Sequence, residues 1–162
     1  MADETINNLV AAVQEMFRDS CPNGSKLGWD RNRFFYCLVN LCTDCKVMNC
    51  TDFNYSYCNS FEIEPNIGWQ EHSYVLTFKI SFVSDVYSLH VTKYSKDRKT
   101  GKVVEESECA ALIPTIAVVR QFAANSEFLE MQVKDHDVIV AEVLLELSDI
   151  ATLGKCLFDD YE

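Results

Sequence analysis

Residues 73–82 alternate between two kinds of side chain, and a chain that does so has little freedom in its local structure. Tyr74, Leu76, Phe78, Ile80 and Phe82 alternate with Ser73, Val75, Thr77, Lys79 and Ser81. This period of two marks a half-buried strand. Tyr87, Leu89 and Val91 then alternate with Ser88, His90 and Thr92. A polar turn, Lys96 to Gly101, leads into a third run from Lys102 to Ile113, with Gly101 placed to supply the positive φ that hairpin loops often need. The stretch Ser73 to Ile113 therefore reads as an antiparallel meander on which the rest of the chain packs.

The flanking segments supply the helices. Ile6, Leu9, Val10, Val13, Met16 and Phe17 recur at helical spacing over residues 3–18, and Asp3 or Thr5 can cap the start. A second helix begins after Asp30, with Phe34, Phe35, Leu38, Leu41, Cys42 and Cys45 on one apolar stripe. Residues 53–58 read as a short strand or an ordered loop, and Pro65, Asn66 and Gly68 mark a turn before the meander. Pro114 suits the first turn of a helix that ends near Asn125. A second hairpin is expected next, Leu129 to Lys134 and Ile139 to Leu147, with Ile139, Ala141, Val143, Leu145 and Leu147 lining one face. Ser148 or Asp149 would then cap a last helix with Ile150, Leu153 and Leu157 inward. The fold class is α+β: one domain over residues 1–162, a meander plus a second hairpin, packed with three to four helices mainly on one face.

Length and charge bound the function. A chain of 162 residues can bury a core without disulfide staples. A formal net charge of -11 argues against nucleic-acid phosphate and favours a partner with a basic surface. No apolar run is long enough to cross a membrane, and the N-terminal Asp3 and Glu4 stand where a signal peptide would be basic. The expectation is a cytoplasmic protein whose eight cysteines are free thiols or metal ligands.

Cys37, Cys42, Cys45, Cys50 and Cys58 form the sharpest local cluster. Cys42 and Cys45 have CxxC spacing, and Cys50 and Cys58 complete four thiols for a structural zinc. The competing reading is packing, because Cys42 and Cys45 continue the apolar stripe and buried cysteine is a small apolar residue. The same CxxC with Lys46 resembles the active-site turn of the thioredoxin family, and Ile113-Pro114-Thr115 resembles its cis-proline segment. That likeness implies Cys42 as an attacking thiolate at a helix N-terminus and Cys45 as the resolving thiol. The tryptophan that precedes the family's motif is replaced here by Leu41.

The remaining polar clusters have bland readings. His72, His90 and His136 fall on different elements. Asp135-His136-Asp137 lacks the further carboxylates of a calcium loop. Glu105, Glu106 and Glu108 lie on the third run. Lys93, Lys96, Arg98, Lys99 and Lys102 gather at one turn, as a binding finger or as a soluble tip that protects an edge.

The element order from Ser73 to Glu162, with the helix near the N-terminus, resembles the small acidic chaperones of type III secretion. The rhythm of Thr115 to Leu147 carries most of the likeness. It implies a non-catalytic homodimer that binds extended protein segments, with residues 20–70 as an insertion. The function expected is therefore non-catalytic protein binding, chaperone-like or inhibitor-like, with no cofactor and with Tyr55, Tyr57 and Trp69 as anchors. The alternative is a cysteine-based site, redox or zinc.

Overall fold

A computed structural model describes residues 1–67 and 71–160. Its centre is a mixed sheet in the order β1 (Cys45–Asn49), β2 (Cys58–Pro65), β3 (Ser73–Ser81), β4 (Val86–Tyr94), β5 (Gly101–Val104). These five strands pair antiparallel. A two-residue strand, β6 (Leu129–Glu130), runs parallel to the start of β4. With α1 (Asp3–Met16), α2 (Phe35–Leu41), α3 (Ile113–Asn125) and α4 (Leu153–Leu157), the architecture is α+β, as the sequence pattern requires.

Register converts the alternation into two chemically different faces. On one, the rows Phe61–Phe78–Leu89 and Ile63–Leu76–Val91 cross three strands. Leu38, Cys42, Leu112, Ile116, Val119 and Ala123 close over them from α2, α3 and the turn before α3. On the other, the rows are Ser60–Lys79–Ser88 and Glu62–Thr77–His90. A second core gathers α1, α4 and residues 140–151 around Tyr57, Phe82 and Val86 at the β3–β4 turn. Helices α2 and α3 thus cover one face, while α1 and α4 pack at the turn end.

Several expectations are corrected. Helix α2 stops at Leu41, with Cys42 as its C-cap and Cys45 already on β1. Within residues 20–70, β1 and β2 are strands of the one sheet. The third run of the meander leaves the sheet after Val104, where Glu106 turns to pair with Arg120. Gly101 does not take a positive φ; Arg98 does, at 59°. Gly101 is needed for closeness instead, since a Cβ there would lie 2.6 Å from the Tyr94 ring.

The second hairpin does not form. After β6 the chain makes a short 3-10 turn, Val133–Asp135, and then runs irregularly, bridging only at Ile139 to Thr152. Val140 and Val143 are buried, whereas Ile139, Ala141 and Leu147 are exposed, so the expected single face is absent. Glu142, with φ at 64°, breaks the alternation in its middle. Thr152, rather than Ser148 or Asp149, caps the last helix by accepting from the Lys155 N–H, and Ile150 is exposed.

Candidate functional site

The polar face of the sheet forms the floor of a groove of about 760 Å³. Ser60, Glu62, Thr77, His90, Thr92 and Tyr94 line the floor, and Met131, Val133, His136 and Phe158 build the wall at the turn end. Gly154 lets that wall close, since a Cβ there would sit 2.8 Å from His136 Nδ1, and His136 stacks on Phe158 at 5.6 Å.

At the inner end Lys79 and Asp159 form an ion pair with both side chains about 95 % buried, 5 % and 3 % exposed. Ser56 donates to the other Asp159 oxygen at 2.6 Å. The chain reaches this geometry because residues 55–57 pair with 158–160: the Tyr57 N–H donates to the Phe158 carbonyl at 2.7 Å, and the Asp160 N–H to Tyr55 at 3.2 Å. A buried ammonium paired with a carboxylate that also accepts from a hydroxyl is a compensated structural group.

The clustered cysteines are spread from α2 through β1 to β2. Cys42 lies at the C-terminal end of α2, where the helix dipole disfavours a thiolate, and not at a helix N-terminus. Burial, and secondarily Cys45, push its thiol up to about 11. Cys45 lies 3.3 Å from Thr115 Oγ1, Cys50 is exposed, and Cys58 is buried on β2. Among the described residues no group of three His, Cys, Asp or Glu side chains is placed to hold a metal ion. Pro114 sits in the first turn of α3, and the described backbone has no cis peptide bond.

The other clusters resolve into structural pairs. Arg120 reaches Glu106 at 2.9 Å and Glu130 at 2.8 Å, tying the turn before α3 to β6. These carboxylates raise the Arg120 pKa further above its ordinary value. Asp135 accepts the N-terminal ammonium of Met1 at 3.2 Å. Arg98 of the basic turn pairs with Glu64 on β2 and lies over the Tyr94 ring.

Of the expected anchors, Tyr55 is exposed and Trp69 lies outside the described residues. Tyr57 is corrected to a core residue: it is 3 % exposed and packs edge-on against Phe17 at 4.9 Å. Burial first, then its bond with Cys21, raise its pKa above the ordinary phenol value.

Residues 139–150, expected as a strand to Leu147 followed by the start of the last helix, carry the surface that sequence reasoning missed. Ile139, Leu144, Leu147 and Ile150 are exposed, Leu144 at 86 %, and they alternate with exposed Glu142, Glu146 and Asp149. No lysine or arginine occurs from Asp135 through Gly154; that gap was the available signal. The segment is pinned in place: Gln14 donates to the Ala141 carbonyl at 3.1 Å and Cys21 to that of Leu144 at 3.2 Å. Asp160 accepts the Leu147 N–H at 2.8 Å while its own N–H holds Tyr55, which sets Tyr55 beside the segment. No family model, curated protein or solved structure matches this chain. No helix among the described residues is long and apolar enough to cross a membrane.

Proposed function

We propose that this chain is a non-catalytic protein-binding module, chaperone-like or inhibitor-like, that engages a basic partner through residues 139–150 and Tyr55. The observation that carries the reading is the exposed apolar and acidic surface of that segment, with four large aliphatic side chains in water and no positive charge among them. Apolar side chains this exposed lose free energy to solvent unless covered. The interleaved carboxylates select a partner whose apolar contacts are bordered by Lys or Arg. Compensation of Lys79 by Asp159, and of Asp159 by Ser56, supports a structural rather than a reactive role for the groove's inner end.

The test uses the full chain and two synthetic peptides, one alternating Lys with Leu and one alternating Glu with Leu, read by fluorescence anisotropy. The Lys peptide is expected to bind, and more weakly as salt rises. Reversing Glu142, Glu146 and Asp149 to Lys should weaken it by about tenfold or more. Equal binding of both peptides, or no effect of the reversal, overturns the reading.

A further inference from the structure

The groove over the polar face differs in kind from the surface that faces the protein partner. Register makes its floor a grid: Glu62, Thr77 and His90 stand in one row across β2, β3 and β4, beside the row Ser60, Lys79 and Ser88. Opposite side chains in such rows lie about 5 Å apart, so the floor offers donors and acceptors at fixed spacing. Glu62, Thr77, His90 and Thr92 are half-buried, bordering the cavity without being sealed in the core. Met131, Val133 and Phe158 close the turn end with an apolar wall. The enclosed volume of 760 Å³ falls within the range of about 300–1,000 Å³ that holds single small molecules.

We infer that this groove binds a neutral polyhydroxylated small molecule of mono- or disaccharide size. The lining selects that class. Ser60, Thr77, Ser88, Thr92, Tyr94 and Thr152 bring hydroxyl groups to it, and each can both donate and accept, as a sugar hydroxyl does. Glu62 adds a carboxylate able to accept from two neighbouring sugar hydroxyls, and the apolar wall suits the C–H side of a sugar ring. Charge selects against the alternatives. Lys79 and Asp159 neutralise each other at the inner end, and apart from histidines the other charged lining residues are Glu62, Asp137 and Lys155. An anion would meet more carboxylate than ammonium, and a polycation would find too few carboxylates. An extended peptide fits poorly. The wall blocks its path along the floor, and the strands beneath already use their backbone groups to pair with one another. This ligand is independent of the basic partner, which is assigned to residues 139–150 and Tyr55.

Amide NMR of the full chain, titrated at low and at high salt with glucose, galactose, maltose, cellobiose and lactose, tests this. At least one sugar is expected to bind in the millimolar range, shifting the amides of Thr77, His90 and Thr92 and leaving those of Glu142 and Glu146 in place. Its affinity should not change with salt, whereas binding of the basic partner weakens. Glucuronate and glucosamine, which add a charge to the same ring, should bind no more tightly than glucose. Thr77→Val keeps a β-branched side chain suited to the strand and removes one floor hydroxyl. It should weaken the sugar by about tenfold, whereas Leu144→Asp should leave it unchanged. No shift with any of these sugars, shifts confined to other surfaces, a preference for the charged sugars, or a Thr77→Val variant that binds as the wild type does overturns the inference.

Discussion

Phe78 and Lys79 are neighbours on β3, both almost wholly buried, yet they belong to opposite faces of one sheet and are held by different physics. Phe78 sits in a dry layer between Phe61, Tyr87 and Phe122. Its contribution scales with the apolar area removed from water and needs no particular partner. Lys79 lies on the polar face, where its ammonium pairs with Asp159, eighty residues on. The contrast separates burial that any apolar neighbour satisfies from burial that needs polar partners of the right charge.

Two substitutions expose that difference in urea unfolding. Phe78→Ala should cost about 3–5 kcal/mol, near the largest effect available to one side chain, because the layer around it cannot collapse into the space. Asp159→Ala should cost about 3 kcal/mol, since it takes the shared carboxylate from the Lys79 ammonium and the Ser56 hydroxyl together. The diagnostic step is the second substitution: Lys79→Met in the Asp159→Ala background should recover most of the loss. If the double variant is no more stable than the single one, the two faces do not differ as described.

How legible each face was in the sequence follows from the same distinction. The alternation of Leu76, Phe78 and Ile80 was enough to place the dry face, because periodicity encodes burial against whatever lies opposite. Strands β3 and β4 and helices α1 and α3 fall close to where the pattern puts them. The pairing of buried Lys79 with Asp159 was not legible, because no local pattern reports a contact across eighty positions. Residues 139–147 failed for another reason. Their apolar alternation is real, but Glu142 adopts the left-handed conformation and no neighbouring strand accepts the segment. In the same way Tyr57, a plausible anchor by residue type, is claimed by Phe17 and Phe82. The CxxC spacing was visible, but which end of the helix carried Cys42 was not, and that end decides the thiol's chemistry.

A smaller, pH-dependent effect probes whether the dry face tolerates any charge. Burial, with Cys45 nearby, pushes the Cys42 thiol from an ordinary 9.0 to about 11. A group whose pKa is raised on folding holds its proton more tightly in the native state. Its contribution is complete below pH 9.0 and is lost as pH rises toward 11. Tyr87, raised to about 12 mainly by burial and by Glu130, extends the loss to higher pH. Stability measured across that window should therefore fall with pH more steeply in the wild type than in Cys42→Ala, by about 1 kcal/mol per pH unit. Cys42→Ala should be less stable at neutral pH, because it leaves space under α2, and the two curves should converge as alkali ionises the thiol. Alkylation gives the matching kinetic readout: at neutral pH exposed Cys37 should react fast and buried Cys42 only as the chain opens. Parallel stability curves, or equal labelling of the two thiols, would mean that α2 does not seal this face.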